Sequence, residues 1–295
     1  MTETTTNHVK TQTLDAPGAT LTYDIREAEG ESTDPTLLMI GQPMDASGFT
    51  SLAGHFRDRR VVTYDPRGVT RSRLKAGSGK PTPGERADDL HRLISALGPD
   101  PVEVFGSSGG ALDGLTLVSQ HPDQVRTLVA HEPPAAQVLP DREAALAAAA
   151  SIQETYESDG MGPAMAKFMA LTSLKGPIPA DFADQPAPDP AAFGMPTEDD
   201  GSRDDPLLSN MITGTHHELD FDALRAAPTR IVVAAGVESE GEFTHRAAVA
   251  VAERLGREAT IFPSHHGGFL GGEFGYAGEP EAFAAKLREV LDEES

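Results

Sequence analysis

Val104-Phe105-Gly106-Ser107-Ser108-Gly109-Gly110-Ala111 is the stretch that decides the fold of this chain. It contains G-x-S-x-G, with Gly106, Ser108 and Gly110 in the required places. Five residues of this kind recur by chance, so their surroundings carry the weight. The apolar run Val102-Glu103-Val104-Phe105 before them reads as a strand. Ala111, Leu112, Leu115 and Val118 after them share one face of a helix. Strand, glycine-flanked turn and helix are the setting of a nucleophile elbow, where a strained backbone presents a serine hydroxyl. The competing readings are a Gly/Ser turn without chemistry and a phosphate-binding helix start. The strand and helix on either side weigh against both.

Outward from the elbow the pattern alternates. Residues 9–14 and 21–25 flank the turn Ala16-Pro17-Gly18-Ala19 and read as an antiparallel hairpin. Leu37-Leu38-Met39-Ile40 and Arg60-Val61-Val62-Thr63-Tyr64 read as short buried strands. Helices are expected over 46–57, 83–97 and 111–120, and a strand over 125–130. Buried strands separated by helices predict an α/β fold, a mostly parallel twisted sheet flanked by helices. The alternation breaks after Glu132. Residues 139–175 read as helical, with pieces at 142–156 and 161–171. Residues 176–206 are dense in Pro, Asp and Gly and are expected to form a mobile or extended loop, with a short helix near 206–213. A strand at 230–235, a helix at 243–255, a strand at 259–262 and a helix at 280–291 complete the pattern. The organisation expected is an α/β core over 1–135 and 227–295, interrupted by an inserted, mainly helical cap over 136–226.

Composition narrows the function. Of 295 residues, 38% are hydrophobic, enough for one large α/β domain or two small ones. No run approaches the roughly 18 apolar residues of a membrane span. The opening MTETTTNHVKTQT lacks a basic region followed by an apolar stretch, so a cytoplasmic protein is expected. Cys 0 rules out disulfides and thiolate nucleophiles. A net charge of −22 sets the chain against nucleic-acid backbones and reads otherwise as solubility. No dinucleotide fingerprint or phosphate loop is present: near Gly79-Lys80, Leu74 stands where the first glycine belongs and Pro81 where the hydroxyl belongs. His216-His217 with Glu218 lacks a third ligand and reads as a surface position of the cap. No cofactor and no metal are therefore expected. The partner expected is a small-molecule substrate, with a homodimer left open.

The chain resembles an α/β-hydrolase, in particular the actinobacterial type of serine hydrolase or esterase with an inserted cap. Besides the elbow, the likeness rests on Leu38-Met39-Ile40-Gly41-Gln42-Pro43, Tyr64-Asp65-Pro66-Arg67-Gly68 and Phe262-Pro263-Ser264-His265-His266-Gly267-Gly268-Phe269, and it covers 9–135 and 228–293. Two departures stand out: Ile40-Gly41 where many members have His-Gly, and Val69-Thr70 before Arg71-Ser72. The resemblance implies a general base after the last strand, and of the 10 histidines only His265 and His266 lie there. The family's His-Gly-Phe pattern points to His266. His265 is then a solvated or supporting neighbour.

The resemblance also bears on the acid that orients this histidine. Counting from Gly236, the usual acid position is Ser239, flanked by Glu238 and Glu240. Related families place the acid after the preceding strand, here Glu132, ahead of Pro133-Pro134. Glu132 is preferred and Glu238 is the alternative. Both keep the order Ser, acid, His. The oxyanion donors implied are the backbone N–H groups of Gly109 and Gln42. Met44, Phe49, Met165, Phe168, Met169 and Phe269 are expected to line an apolar pocket over Ser108. The absence of Trp argues against sugar-stacking platforms. The function expected is cofactor-free hydrolysis of an ester, lactone or related acyl bond of a small, hydrophobic molecule through an acyl-enzyme. The alternatives are proline-iminopeptidase-like, haloperoxidase or carbon–carbon hydrolase activity on the same fold, or a ligand-binding descendant without turnover. Activity on amino-acid anilides, or binding without serine-dependent turnover, would mark these.

Overall fold

A computed structural model describes residues 9–293. Their strands are β1 (Lys10–Ala16), β2 (Ala19–Arg26), β3 (Leu37–Gln42), β4 (Val61–Asp65), β5 (Arg73–Leu74), β6 (Val102–Ser108), β7 (Val125–His131), β8 (Arg230–Gly236) and β9 (Thr260–Phe262). They form one sheet in the order β1-β2-β4-β3-β6-β7-β8-β9, with β5 paired to β2. From β4 to β9 every neighbour is parallel; β1, β2 and β5 pair antiparallel. The helices are α1 (Thr50–Gly54), α2 (Pro83–Leu97), α3 (Gly109–Gln120), α4 (Arg142–Asp159), α5 (Met161–Thr172), α6 (Met211–Thr215), α7 (Phe221–Ala226), α8 (Phe243–Arg254) and α9 (Pro280–Asp292).

The strand residues alternate between two cores. Leu38, Ile40 and Val104 pack with Leu90 and Leu93 of α2, Leu112 and Leu115 of α3, and Val251 of α8. Leu37, Met39 and Phe105 pack on the other face with Leu52 of α1 and Phe283 and Leu287 of α9. Each fully buried side chain of this size contributes about 1.5–3 kcal/mol, and together they make the C-terminal ends of the strands a rigid edge. Local signals set the helix starts. Thr82 and Glu85 form a reciprocal capping box ahead of α2, with Pro83 in its first turn.

Between β7 and β8 the chain leaves the sheet. Ala148, Ile152 and Tyr156 of α4, Ala164 and Leu171 of α5, and Leu208 form a separate apolar cluster, completed by Phe243 and Ala247 of α8. Residues 176–206 hold only short 3-10 turns and run over α4 and α5. The Lys167 ammonium bonds the carbonyls of Ala183 and Gln185 at 3.1 and 2.9 Å. Arg203 sits 5.6 Å above the Tyr156 ring.

Three features depart from expectation. The helix expected over 46–57 is a 3-10 turn, Ala46–Phe49, followed by the five residues of α1. The two-residue β5 and the helix α7 carry too few residues to show a periodicity. Leu224 of α7 belongs to the core beneath the sheet, not to the cluster of α4 and α5, although it falls within the segment 136–226.

Candidate active site

Ser108 stands where β6 passes into α3, at φ 55° and ψ −126°. Its neighbours explain how a non-glycine residue holds that conformation. A Cβ on Gly106 would lie 2.8 Å from the Gly110 carbonyl oxygen, and one on Gly109 would lie 2.8 Å from that of Gln42. Both glycines are required by close backbone approach. The parallel register sets Gln42 at the end of β3 directly opposite Ser108. The residues Gln42, at the end of β3, and Gly109, at the start of α3, thus lie beside the serine. Met44 follows on the same loop and packs over Gly41 and Gly48.

That loop is fixed from below. The fully buried Asp65, at the end of β4, accepts from the Ala46 amide at 3.1 Å and from Arg71 Nε at 2.8 Å. Arg71 also reaches Asp24, and its hydrogen bonds to Asp65 and then Asp24 raise its pKa further. Thr70 donates to Asp45 at 2.6 Å. The stretch Tyr64–Gly68 therefore serves as scaffold for the 42–49 loop. Arg67 makes a buried pair with Asp89 at 2.6 Å.

Glu132 follows β7, fully buried and at φ 49°. Its Oε2 lies 2.6 Å from His266 Nδ1, which faces it from the loop after β9. A carboxylate only accepts, so Nδ1 carries the proton and Nε2 is left as the basic nitrogen. Gly236 N–H donates to Glu132 Oε1 at 2.9 Å, Ser239 Oγ donates to the same oxygen, and Thr244 Oγ1 donates to Oε2 at 2.9 Å. Burial alone would push the Glu132 carboxyl up. The hydrogen bond from His266, the nearby His131 and the Ser239 hydroxyl outweigh it and hold the group well below the usual carboxylate range.

Of the residues singled out by sequence, Glu132 and His266 are in direct contact, and Ser108, Gly109 and Gln42 are neighbours. Among the described residues Ser108 Oγ has no hydrogen bond to His266. Two expectations are corrected. Glu238 is exposed and takes a 3.3 Å contact from Ser264 Oγ instead of facing His266, because the backbone of 236–239 turns Ser239 inward and Glu238 outward. Phe49 and Phe269 are not pocket walls. They are 0% and 2% exposed and stack on each other at 5.5 Å within the core, because the apolar face of α9 closes over them. Met165, Phe168 and Met169 of α5 are half-buried. His265 bonds the Ala277 carbonyl at 3.2 Å and accepts from Gly267 N at 3.0 Å, holding its own loop. His217 contacts Thr116 of α3 at 2.8 Å, and so joins the segment after α6 to the helix behind Ser108.

Sequence reasoning missed Ser239, Thr244 and His131. Ser239 had a signal, a hydroxyl where an acid is customary. His131 and Thr244 had none, since an apolar strand ending in His and a helix opening in Phe-Thr are ordinary. His131 is fully buried; its ring stacks on that of His266 at 6.0 Å, and burial lowers its pKa to about 4. A cleft of about 540 Å³ between Asp34, Asp100, Asp123 and Arg126 lies at the opposite ends of the strands, remote from this chemistry.

A mostly parallel sheet of this order, with the serine on the turn into α3 and the order Ser108, Glu132, His266, defines the α/β-hydrolase class of fold. A sequence profile described as alpha/beta hydrolase fold matches residues 37–162. An uncharacterized hydrolase of Bacillus subtilis, YraK, is 30% identical over 296 residues, covering 96% of each chain. A thermophilic esterase from Thermogutta terrifontis superposes with a TM-score of 0.65 at 19% identity, over 96% of this chain and 98% of that one. An enol-lactonase from Burkholderia xenovorans does so with a TM-score of 0.64 at 17% identity, over 96% and 100%. The chain belongs to the α/β-hydrolase family. Among the described residues no helix is long and apolar enough to cross a membrane.

Proposed function

We propose that this hydrolase cleaves an ester, lactone or related acyl bond of a small hydrophobic molecule, without a cofactor and through an acyl-enzyme. Ser108 Oγ attacks the carbonyl carbon while His266 Nε2 takes its proton. The tetrahedral oxyanion is met by the N–H groups of Gly109 and Gln42. Collapse breaks the acyl bond, and His266 returns the proton to the leaving oxygen. Water then gives its proton to His266 and attacks the acyl carbon; the bond to Ser108 Oγ breaks, the acid leaves, and His266 returns the proton to Oγ. Glu132 keeps the imidazole in one tautomer and stabilises its charged form. Met44 and the half-buried Met165, Phe168 and Met169 would supply an adaptable apolar wall.

The observation that supports this reading best is the 2.6 Å contact between a buried carboxylate and His266 on the same sheet edge as a strained serine. The test is fluorophosphonate labelling with peptide mapping, run beside a p-nitrophenyl acyl ester series on wild type, S108A and E132Q. An adduct at Ser108 is expected, with turnover lowered by several orders of magnitude in S108A and strongly in E132Q. No adduct, together with equal rates in wild type and S108A, would overturn the reading.

A further inference from the structure

The connection from β8 to α8 closes around a single carboxylate. Glu132 Oε1 receives the Gly236 N–H at 2.9 Å and the Ser239 hydroxyl, while Oε2 receives the Thr244 hydroxyl at 2.9 Å beside His266 Nδ1 at 2.6 Å. Four donors thus surround a group with no solvent exposure. Ser239 is itself fully buried; its hydroxyl lies against Glu132 Oε1, with the Gly236 carbonyl at 3.1 Å as the other acceptor in reach, and the charged oxygen is the stronger one. Thr244 Oγ1 lies 3.3 Å from His266 Nδ1. Both Nδ1 and the hydroxyl have one proton to give, and the carboxylate accepts both. The titratable groups facing Glu132 are His131 at the end of β7, His266 from the loop after β9 and Glu242 just ahead of α8, with Lys175 and His265 beyond them.

Resting on the reading of Glu132 as the acid behind His266, we propose that Ser239 and Thr244 are positioning residues: their hydroxyls hold the Glu132 carboxylate on His266 Nδ1 and set the pH at which His266 becomes a free base. Without either hydroxyl the buried anion loses a charge-assisted hydrogen bond that water cannot replace. The carboxylate becomes more basic, and the Glu132–His266 pair holds its shared proton more tightly. The acidic limb of kcat/KM then moves to higher pH.

The experiment measures pH profiles of kcat/KM with p-nitrophenyl acetate on wild type, S239A, T244V, T244S and E132Q. T244V keeps the shape of threonine, and T244S keeps the hydroxyl. The acidic limb is expected to move up by about one pH unit in S239A and T244V, as one charge-assisted hydrogen bond is worth. T244S should stay at the wild-type position, and E132Q should lose most turnover. A purely structural role would lower the rate at every pH and leave the limb in place. If T244V and S239A keep the wild-type limb while E132Q collapses, the positioning role is overturned and the acid assignment stands. If E132Q turns over like wild type, the assignment fails and takes this proposal with it.

Discussion

Replacing His131 by Phe should remove a pH-dependent weakness of the fold. The ring is fully buried among Phe105, Phe262, Phe269 and Phe283, with centroids 5.2 to 6.3 Å away. Its Nε2 has no hydrogen-bond partner, and Nδ1 has only a 3.4 Å contact with Ser107 Oγ. Burial pushes the imidazole down to about 4, with the charge of Glu132 opposing and the other histidines assisting. In the unfolded chain a histidine titrates near 6.5. The unfolded state therefore takes up a proton, as pH falls from about 6.5 to about 4, that the native state refuses. A depressed imidazole thus leaves native stability intact above about pH 6.5 and erodes it below. At about 1.36 kcal/mol per pH unit, the gap amounts to about 3 kcal/mol by pH 4.

Wild type alone would not reveal this. Asp113, fully buried beside Arg86, has its carboxyl raised to about 6 by burial, with Arg86 opposing. A raised carboxyl contributes the opposite slope: its stabilisation is complete below about pH 4 and is lost as pH rises through about 6. The two slopes oppose each other over the same range, so the difference between H131F and wild type is the quantity to measure. Urea unfolding followed by circular dichroism at several pH values should show H131F at least as stable as wild type near pH 7. Its advantage should grow by about 3 kcal/mol toward pH 4. Parallel curves would refute the argument, because they would mean that His131 is protonated equally in both states.

Gly106→Ala places a methyl 2.8 Å from the Gly110 carbonyl and 3.0 Å from Ala111 Cα, both backbone. It should cost about 1–3 kcal/mol in a thermal melt and remove ester turnover by displacing Ser108. Asp89→Asn removes the buried carboxylate at 2.6 Å from Arg67 and leaves the guanidinium only the half-exposed Glu85 at 3.0 Å as a charged partner; it should cost about 2–3 kcal/mol, a fall of roughly 5–10 °C in Tm. Lys167→Met releases the carbonyls of Ala183 and Gln185. Limited proteolysis should then cut within 176–206 faster than in wild type, with the melting temperature little changed.

The core strands were legible because each is a short apolar run between turn residues, and a strand buried on both faces has no other appearance. Leu37–Ile40 and Val102–Phe105 fall within β3 and β6, and the glycines of the elbow mark the backbone approach they allow. The acid was legible only as a choice between two carboxylates. What separates Glu132 from Glu238 is where the chain turns after β8, a property of Ser239 packing inward that no periodicity records. The pocket residues were the least legible. Apolar type near the site does not tell a wall from a foundation, and Phe49 and Phe269 proved to be foundation. α7 escaped because six residues show less than two full turns, and α3, the helix it packs on, lies about a hundred positions earlier in the chain.

Two adjacent strands end in strain. Ser108 at the end of β6 and Glu132 just after β7 have φ 55° and 49°, conformations that cost a non-glycine residue about 1–3 kcal/mol each. The β6–β7 ladder runs as far as Ser107 and His131, so both residues lie one step beyond it, although Ser108 still pairs with Gln42 of β3. What holds Glu132 comes from the other side. Its amide donates to the Ala234 carbonyl at 2.9 Å, and its carboxylate takes the Gly236 amide, both from β8. Ser108 is held from β3, through Gln42 and the glycines that pack against it. The strained pair is thus clamped between strands from the two ends of the chain. Among the described residues, none of the hydrogen bonds to Glu132 comes from 136–226. That segment reaches the Glu132–His266 contact through α8, whose Phe243 and Ala247 pack in its apolar cluster and whose Thr244 donates to Glu132.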